Sequence, residues 1–161
     1  MSIHPQVRIG HIHLKVADLE RSLGFYRDLL GFEVTQRMGS NAAFLSAGGY
    51  HHHIGLNTWE SAGGSAPPPG STGLYHVAIL YPTRLELARA FKTLLDAKTE
   101  FEGASDHGVS EALYLRDPDG NGLELYVDRD PPHYPRDSSG NLRMVTEALD
   151  WQGLLALLET E

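Results

Sequence analysis

The second half of this chain repeats the pattern of the first, and that repeat restricts the possible folds more than any other feature. Sliding the sequence over itself by 65 places sets His11 on His76, Tyr26 on Phe91 and Leu29-Leu30 on Leu94-Leu95. Aligning Phe44-Leu45 with Tyr114-Leu115 takes a slide of 70, which a short insertion in the second half explains. Each half reads strand, helix, strand, strand, strand. In the first, residues 9–16 alternate, with His11 and His13 on one face and Ile12 and Leu14 on the other. Asp18 is placed to cap a helix carrying Leu19, Leu23, Tyr26 and Leu30, with Gly31 at its end. Strands are expected over 32–37, 42–47 and 52–58. In the second half they are expected over 74–80, 100–103, 112–116 and 122–127. Thr83 and Glu86 form a capping box ahead of a helical stripe of Leu85, Ala88, Phe91 and Leu95.

These patterns predict an α+β fold in a single domain over 1–161. Module one spans about 8–59, a Gly-, Ser- and Pro-rich linker 60–73, and module two about 74–130. A tail over 131–161 ends in a short helix capped by Asp150 and carrying Leu154, Leu155, Leu157 and Leu158. That helix must cover either the domain or a partner copy.

The chain of 161 residues has no cysteine, so any metal must be held by nitrogen and oxygen. A formal charge of −8 and the lack of a basic stripe argue against nucleic acid. No apolar run approaches the roughly 18 residues of a membrane span, and no leader pattern opens the chain. The expectation is a soluble, cytoplasmic protein. Its 9 histidines are the informative excess, and position decides what they mean.

Taken singly, a strand histidine is usually a satisfied core or surface residue. His11 and His76 hold matching places on the first strand of each half, which would present both imidazoles to a shared interior. Glu124 lies between Leu123 and Leu125 on the last strand, so alternation turns its carboxylate away from their face. Two neutral imidazoles and a carboxylate leave open positions on a divalent metal, the arrangement suited to Fe(II) oxygen chemistry. Mn(II), Zn(II) and Ni(II) accept the same ligands.

Residues 11–32, with Val16-x-Asp-Leu-Glu-x-Ser22, Phe25-Tyr26 and Leu30-Gly31-Phe32, resemble a module of the vicinal oxygen chelate superfamily. So does Asp117-Pro-Asp-Gly-Asn-Gly-Leu-Glu124-Leu-Tyr126. The resemblance covers about 8–130 and implies two paired βαβββ modules forming a partly closed eight-stranded barrel around the metal. Within that superfamily of glyoxalases, antibiotic-sequestering proteins, epimerases and extradiol dioxygenases, three features point to the catechol 2,3-dioxygenase-like members. Residues 44–54 resemble the segment supplying their acid–base histidine, which implies His52 first among the neighbours His51, His52 and His53, with His53 assigned to substrate and the directions of His51 and His53 left open. Residues 106–114 resemble the stretch giving a substrate-contacting histidine and tyrosine, which implies His107 and Tyr114. His13, two residues past a ligand position, alternates toward the same cavity as a substrate contact.

The expected function is ring cleavage of a small aromatic diol by O2 in a homodimer. A glyoxalase-like lyase or isomerase is the alternative enzyme, and it needs a fourth protein ligand from the last strand of the first half. Sliding by 70 or 69 offers only Ile54 or Gly55 there. A drug-binding module without catalysis is the third reading, against which His11, His76 and Glu124 argue.

Overall fold

The alternation around His11 becomes β1 (Ile12–Lys15), which buries Leu14 and leaves His13 and Lys15 exposed. The structure, a computed structural model, describes residues 2–159. It divides into two compact units, one ending at Ser71 and the next beginning at Thr72.

In the first unit, the Asp18 carboxylate accepts from Arg21 N–H and starts α1 (Leu19–Leu23). The chain then widens into a π-type stretch, Gly24–Leu29, closed by Leu30 N–H reaching Phe25 O. Leu19, Leu23 and Tyr26 are buried beneath it, as the helical spacing predicts. β2 (Glu33–Met38), β3 (Ala42–Ser46) and β4 (Ile54–Asn57) follow, in the sheet order β1-β4-β3-β2 with β1 parallel to β4.

The second unit repeats this with β5 (Val77–Leu80), α2 (Arg84–Asp96), β6 (Phe101–Asp106), β7 (Ser110–Arg116) and β8 (Gly122–Asp128). Its order is β5-β8-β7-β6, extended by β9 (Glu147–Ala148) on the β6 edge. Both sheets are mixed and open, with four and five strands. The α+β class holds, and the tail supplies a strand beyond the expected eight.

The repeat extends to register. Ile12 pairs with Ile54 as Val77 pairs with Leu123, and Phe44 with Gly55 as Tyr114 with Glu124. Each unit also carries one irregularity at the same place, between Val34 and Gln36 and between Phe101 and Gly103. These extra residues, Thr35 and Glu102, put a local kink at matching places in the two sheets.

Some boundaries differ from the sequence reading. His11 and His76 each stand one residue before β1 and β5. β4 starts at Ile54, because His51 to His53 form an irregular approach to it. β6 and β7 are longer than expected, since only His107, Gly108 and Val109 separate them. The buried face of α2 is Leu87, Ala88, Phe91 and Leu94, whereas Leu95 is 38% exposed. The stripe expected through Leu85 and Leu95 was therefore turned by part of a helical step.

The tail holds two elements the alternation does not reveal, β9 and a hairpin bridged at Arg136 and Leu142. The hairpin turn copies the β7–β8 turn. Asp117 and Asp137 each accept from the backbone N–H two and four residues on, and Arg116 and Arg136 each donate to a glycine carbonyl. Asp150 caps α3 (Trp151–Ala156), whose Leu154 is fully buried, and α3 packs on α2. The tail thus covers its own unit. No helix among the described residues is long and apolar enough to cross a membrane.

Candidate metal centre

β8 positions the carboxylate. Leu123 and Leu125 enter the core at 1% and 0% exposure, so the strand turns Glu124 to the other face, its side chain 13% exposed. His76 meets it from the start of β5, with Nε2 3.0 Å from Oε2. The approach depends on Gly122, where a Cβ would stand 2.2 Å from the Tyr75 carbonyl oxygen. The second carboxylate oxygen, Oε1, accepts from the Tyr114 hydroxyl at 3.0 Å. That hydroxyl lies 2.7 Å from His107 Nε2, and His107 Nδ1 lies 2.8 Å from the Val145 carbonyl.

The pair fits a cation. If Nε2 carried the proton toward Glu124, Nδ1 would be a bare acceptor, and Nδ1 is buried with no hydrogen-bond partner among the described residues. If Nδ1 carries it, two lone pairs face each other and need a positive charge between them. Two ligands about 2.1 Å from one ion and at right angles stand about 3.0 Å apart, which the pair already matches. Among the described residues of either unit, no three His, Asp or Glu side chains gather as a complete metal cage. The second unit supplies two donors.

Burial, then the charge and hydrogen bond of Glu124, push the Tyr114 hydroxyl up to about 12. It therefore keeps its proton and donates. The chain from Val145 O through His107, Tyr114 and Glu124 to His76 has four contacts, and neutral side chains supply three protons for them. It borders a cavity of about 400 Å³ lined by Tyr75, His76, His107, Tyr114 and Thr146 among others, within the size range of small-ligand sites.

In the first unit, the His11 ring lies 4.3 Å from His52 and 6.5 Å from His51. Nδ1 of His52 is 2.7 Å from Nδ1 of His51, and Phe44 packs on the His52 ring at 5.1 Å. Burial, then the neighbouring His11, holds the His52 pKa below its ordinary value, which favours the neutral ring. His53 turns elsewhere: its Nδ1 meets Ser46 Oγ at 3.1 Å and accepts from Ala47 N–H at 3.3 Å.

His13 lies over Gly55, where a Cβ would stand 2.9 Å from its ring. By register Gly55 matches Glu124 and His13 matches Ala78. The first unit thus has an imidazole from β1 over the position where the second has a carboxylate from β8. His13 Nε2 accepts from the Asn57 side-chain amide at 2.9 Å. Sequence reading missed Asn57. Its signal was a buried amide alternating with Gly55 in an apolar strand, and Asn57 is 6% exposed.

The model of the glyoxalase/bleomycin resistance protein/dioxygenase superfamily matches residues 8–125. This chain belongs to that superfamily. Among curated relatives of this superfamily chain, the catechol-2,3-dioxygenase of Bacillus subtilis (strain 168) is 45% identical over 96% of this chain. The biphenyl-2,3-diol 1,2-dioxygenase 3 of Rhodococcus globerulus is 34% identical over 80%. This superfamily chain spans 53% of the first protein's length and 66% of the second's. A solved glyoxalase/dioxygenase from Nostoc punctiforme, 20% identical, superposes with a TM-score of 0.65 over 81% of this chain and 98% of its own, which shows the shared fold.

Proposed function

We propose that this chain is a metal-dependent extradiol dioxygenase that opens a catechol-type ring with O2, its ion held by His11, His76 and Glu124. The observation that carries the reading is the His76–Glu124 pair, set 3.0 Å apart beside a Tyr114–His107 relay on one cavity. The names of the two curated relatives supply the reaction class. His11 is the third ligand, which requires the two modules to pair as the partly closed eight-stranded barrel of the superfamily reading.

Fe(II) is the proposed metal, with Mn(II), Zn(II) and Ni(II) accepting the same donors. When bound, it supplies a template for the diol's vicinal oxygens and for O2, and a path for electrons between them. Its two positive charges against one carboxylate and a singly deprotonated diol leave a nearly neutral centre, so burial costs little. His52, a base on its ordinary chemistry, takes a proton from the bound diol and returns it as the ring opens. Tyr114, protonated at working pH, would turn its single hydroxyl proton from Glu124 Oε1 to a substrate oxygen once Glu124 is engaged by the metal, with His107 beside it. His13 borders the substrate in the same reading, whereas His53, first expected there, is held against Ser46 and Ala47. A homodimer also belongs to it and rests on the superfamily resemblance alone, since Leu154 is committed to its own unit.

The lyase reading needs a fourth protein ligand at the place that matches Glu124, and that place is Gly55 beneath the His13 ring. Anaerobic purification, Fe(II) loading and oxygen uptake with a panel of catechols test the proposal. Stoichiometric O2 consumption with a yellow ring-opened product is expected. Turnover of methylglyoxal–glutathione without oxygen uptake would replace it with the lyase.

A further inference from the structure

Residues 143–148 leave the tail hairpin and run along the β6–β7 turn as a strap. Val145 N–H donates to the His107 carbonyl at 3.1 Å, while Glu147 and Ala148 pair with Asp106 and Ser105. The approach is tight. Gly108, at φ +74°, has no room for a side chain: a Cβ there would stand 2.7 Å from Pro135 Cγ and 3.3 Å from Val145 Cγ2. The turn is therefore built to receive the tail.

Two groups of the strap reach the site. The Val145 carbonyl lies 2.8 Å from His107 Nδ1, and a carbonyl only accepts, so this nitrogen carries the hydrogen. In the neutral ring Nε2 is then left bare toward the Tyr114 hydroxyl, 2.7 Å away. Thr146, exposed, lines the same cavity as His76, His107 and Tyr114, with Oγ1 3.5 Å from Nδ1. A histidine in a three-residue turn has rotamer freedom to lose, and the strap removes it from behind.

Resting on the dioxygenase reading for its substrate, we propose that the strap is a working part of the site. Val145 is a positioning residue whose carbonyl sets the tautomer and direction of His107. The Thr146 side chain limits which ring substituents the cavity admits.

Imidazole nitrogen NMR on the metal-free, 15N-labelled chain, with His107 assigned through His107→Gln, tests the first part without activity. The parent should show His107 protonated on Nδ1, and Val145→Gly, which loosens the strap backbone, should average the two tautomers. In the Fe(II)-loaded enzyme, Val145→Gly should lower kcat/KM for catechol about tenfold, the scale of one lost hydrogen bond. In the His107→Gln background the same change should cost under about twofold. Thr146→Leu should shift the ratio of kcat/KM between a 4-alkylcatechol and catechol by about fivefold or more with an unchanged melting temperature. A parent His107 protonated on Nε2, equal losses in both backgrounds, or an unmoved ratio would overturn the proposal. An ordered Nδ1–H that averages in Val145→Gly, in a parent that takes up no oxygen, would uphold the positioning role and reject the dioxygenase reading and the Thr146 role with it.

Discussion

The proposed centre turns on His76, because its Nε2 faces a carboxylate and its Nδ1 has no hydrogen-bond partner among the described residues. The contact survives only while β5 can approach β8 at Gly122. Gly122→Ala would force a Cβ onto the Tyr75 carbonyl, backbone against backbone, and displace His76. Metal affinity should fall about tenfold or more, measured by competition with a chromophoric chelator. Tyr114 offers a separate handle. Its hydroxyl is raised from 10.0 to about 12, so the fold favours the protonated form. That stabilisation is complete below pH 10 and is lost as pH climbs toward 12. In Tyr114→Phe, a denaturation midpoint followed over that range should decline less steeply than in the parent. His52 has the opposite sign: its pKa is lowered from 6.5, so its contribution is present above pH 6.5 and fades as pH falls. His52→Gln should flatten the acid side of the same profile.

At the scale of elements, strand alternation does the positioning. Leu123 and Leu125 anchor one face of β8 and thereby aim Glu124, so stability and site geometry share one strand. Leu125→Ala should cost about 2–5 kcal/mol in chemical unfolding, with reduced metal retention in the surviving fold. This much was legible in the sequence, because a carboxylate between two leucines on a strand has only one way to point. The helix caps at Asp18 and Thr83 were legible for a similar reason, each being a local pattern seen twice. β9 was not. It is two residues long and held by main-chain pairing, which leaves no periodicity to read. The tail hairpin did leave a mark, the repeated Arg-Asp-x-x-Gly-Asn at 116–121 and 136–141, whose significance only the shared hydrogen bonds make plain.

For the molecule as a whole, a repeat organises the chain and the two units depart from each other at the proposed centre. Matching registers place Gly55 where Glu124 stands and His13 where Ala78 stands. In the proposed centre a symmetric protein would offer four ligands, whereas the first unit has Gly55 at the place of the second carboxylate, beneath the His13 ring. The measurement that tests this most directly is bound metal per chain after anaerobic Fe(II) loading and desalting, by elemental analysis of the parent and four variants. The parent and His52→Phe should each retain one ion, with turnover lost only in the variant, whereas His11→Ala, His76→Ala and Glu124→Ala should retain almost none. Equal retention by the parent and those three alanine variants would contradict the assignment.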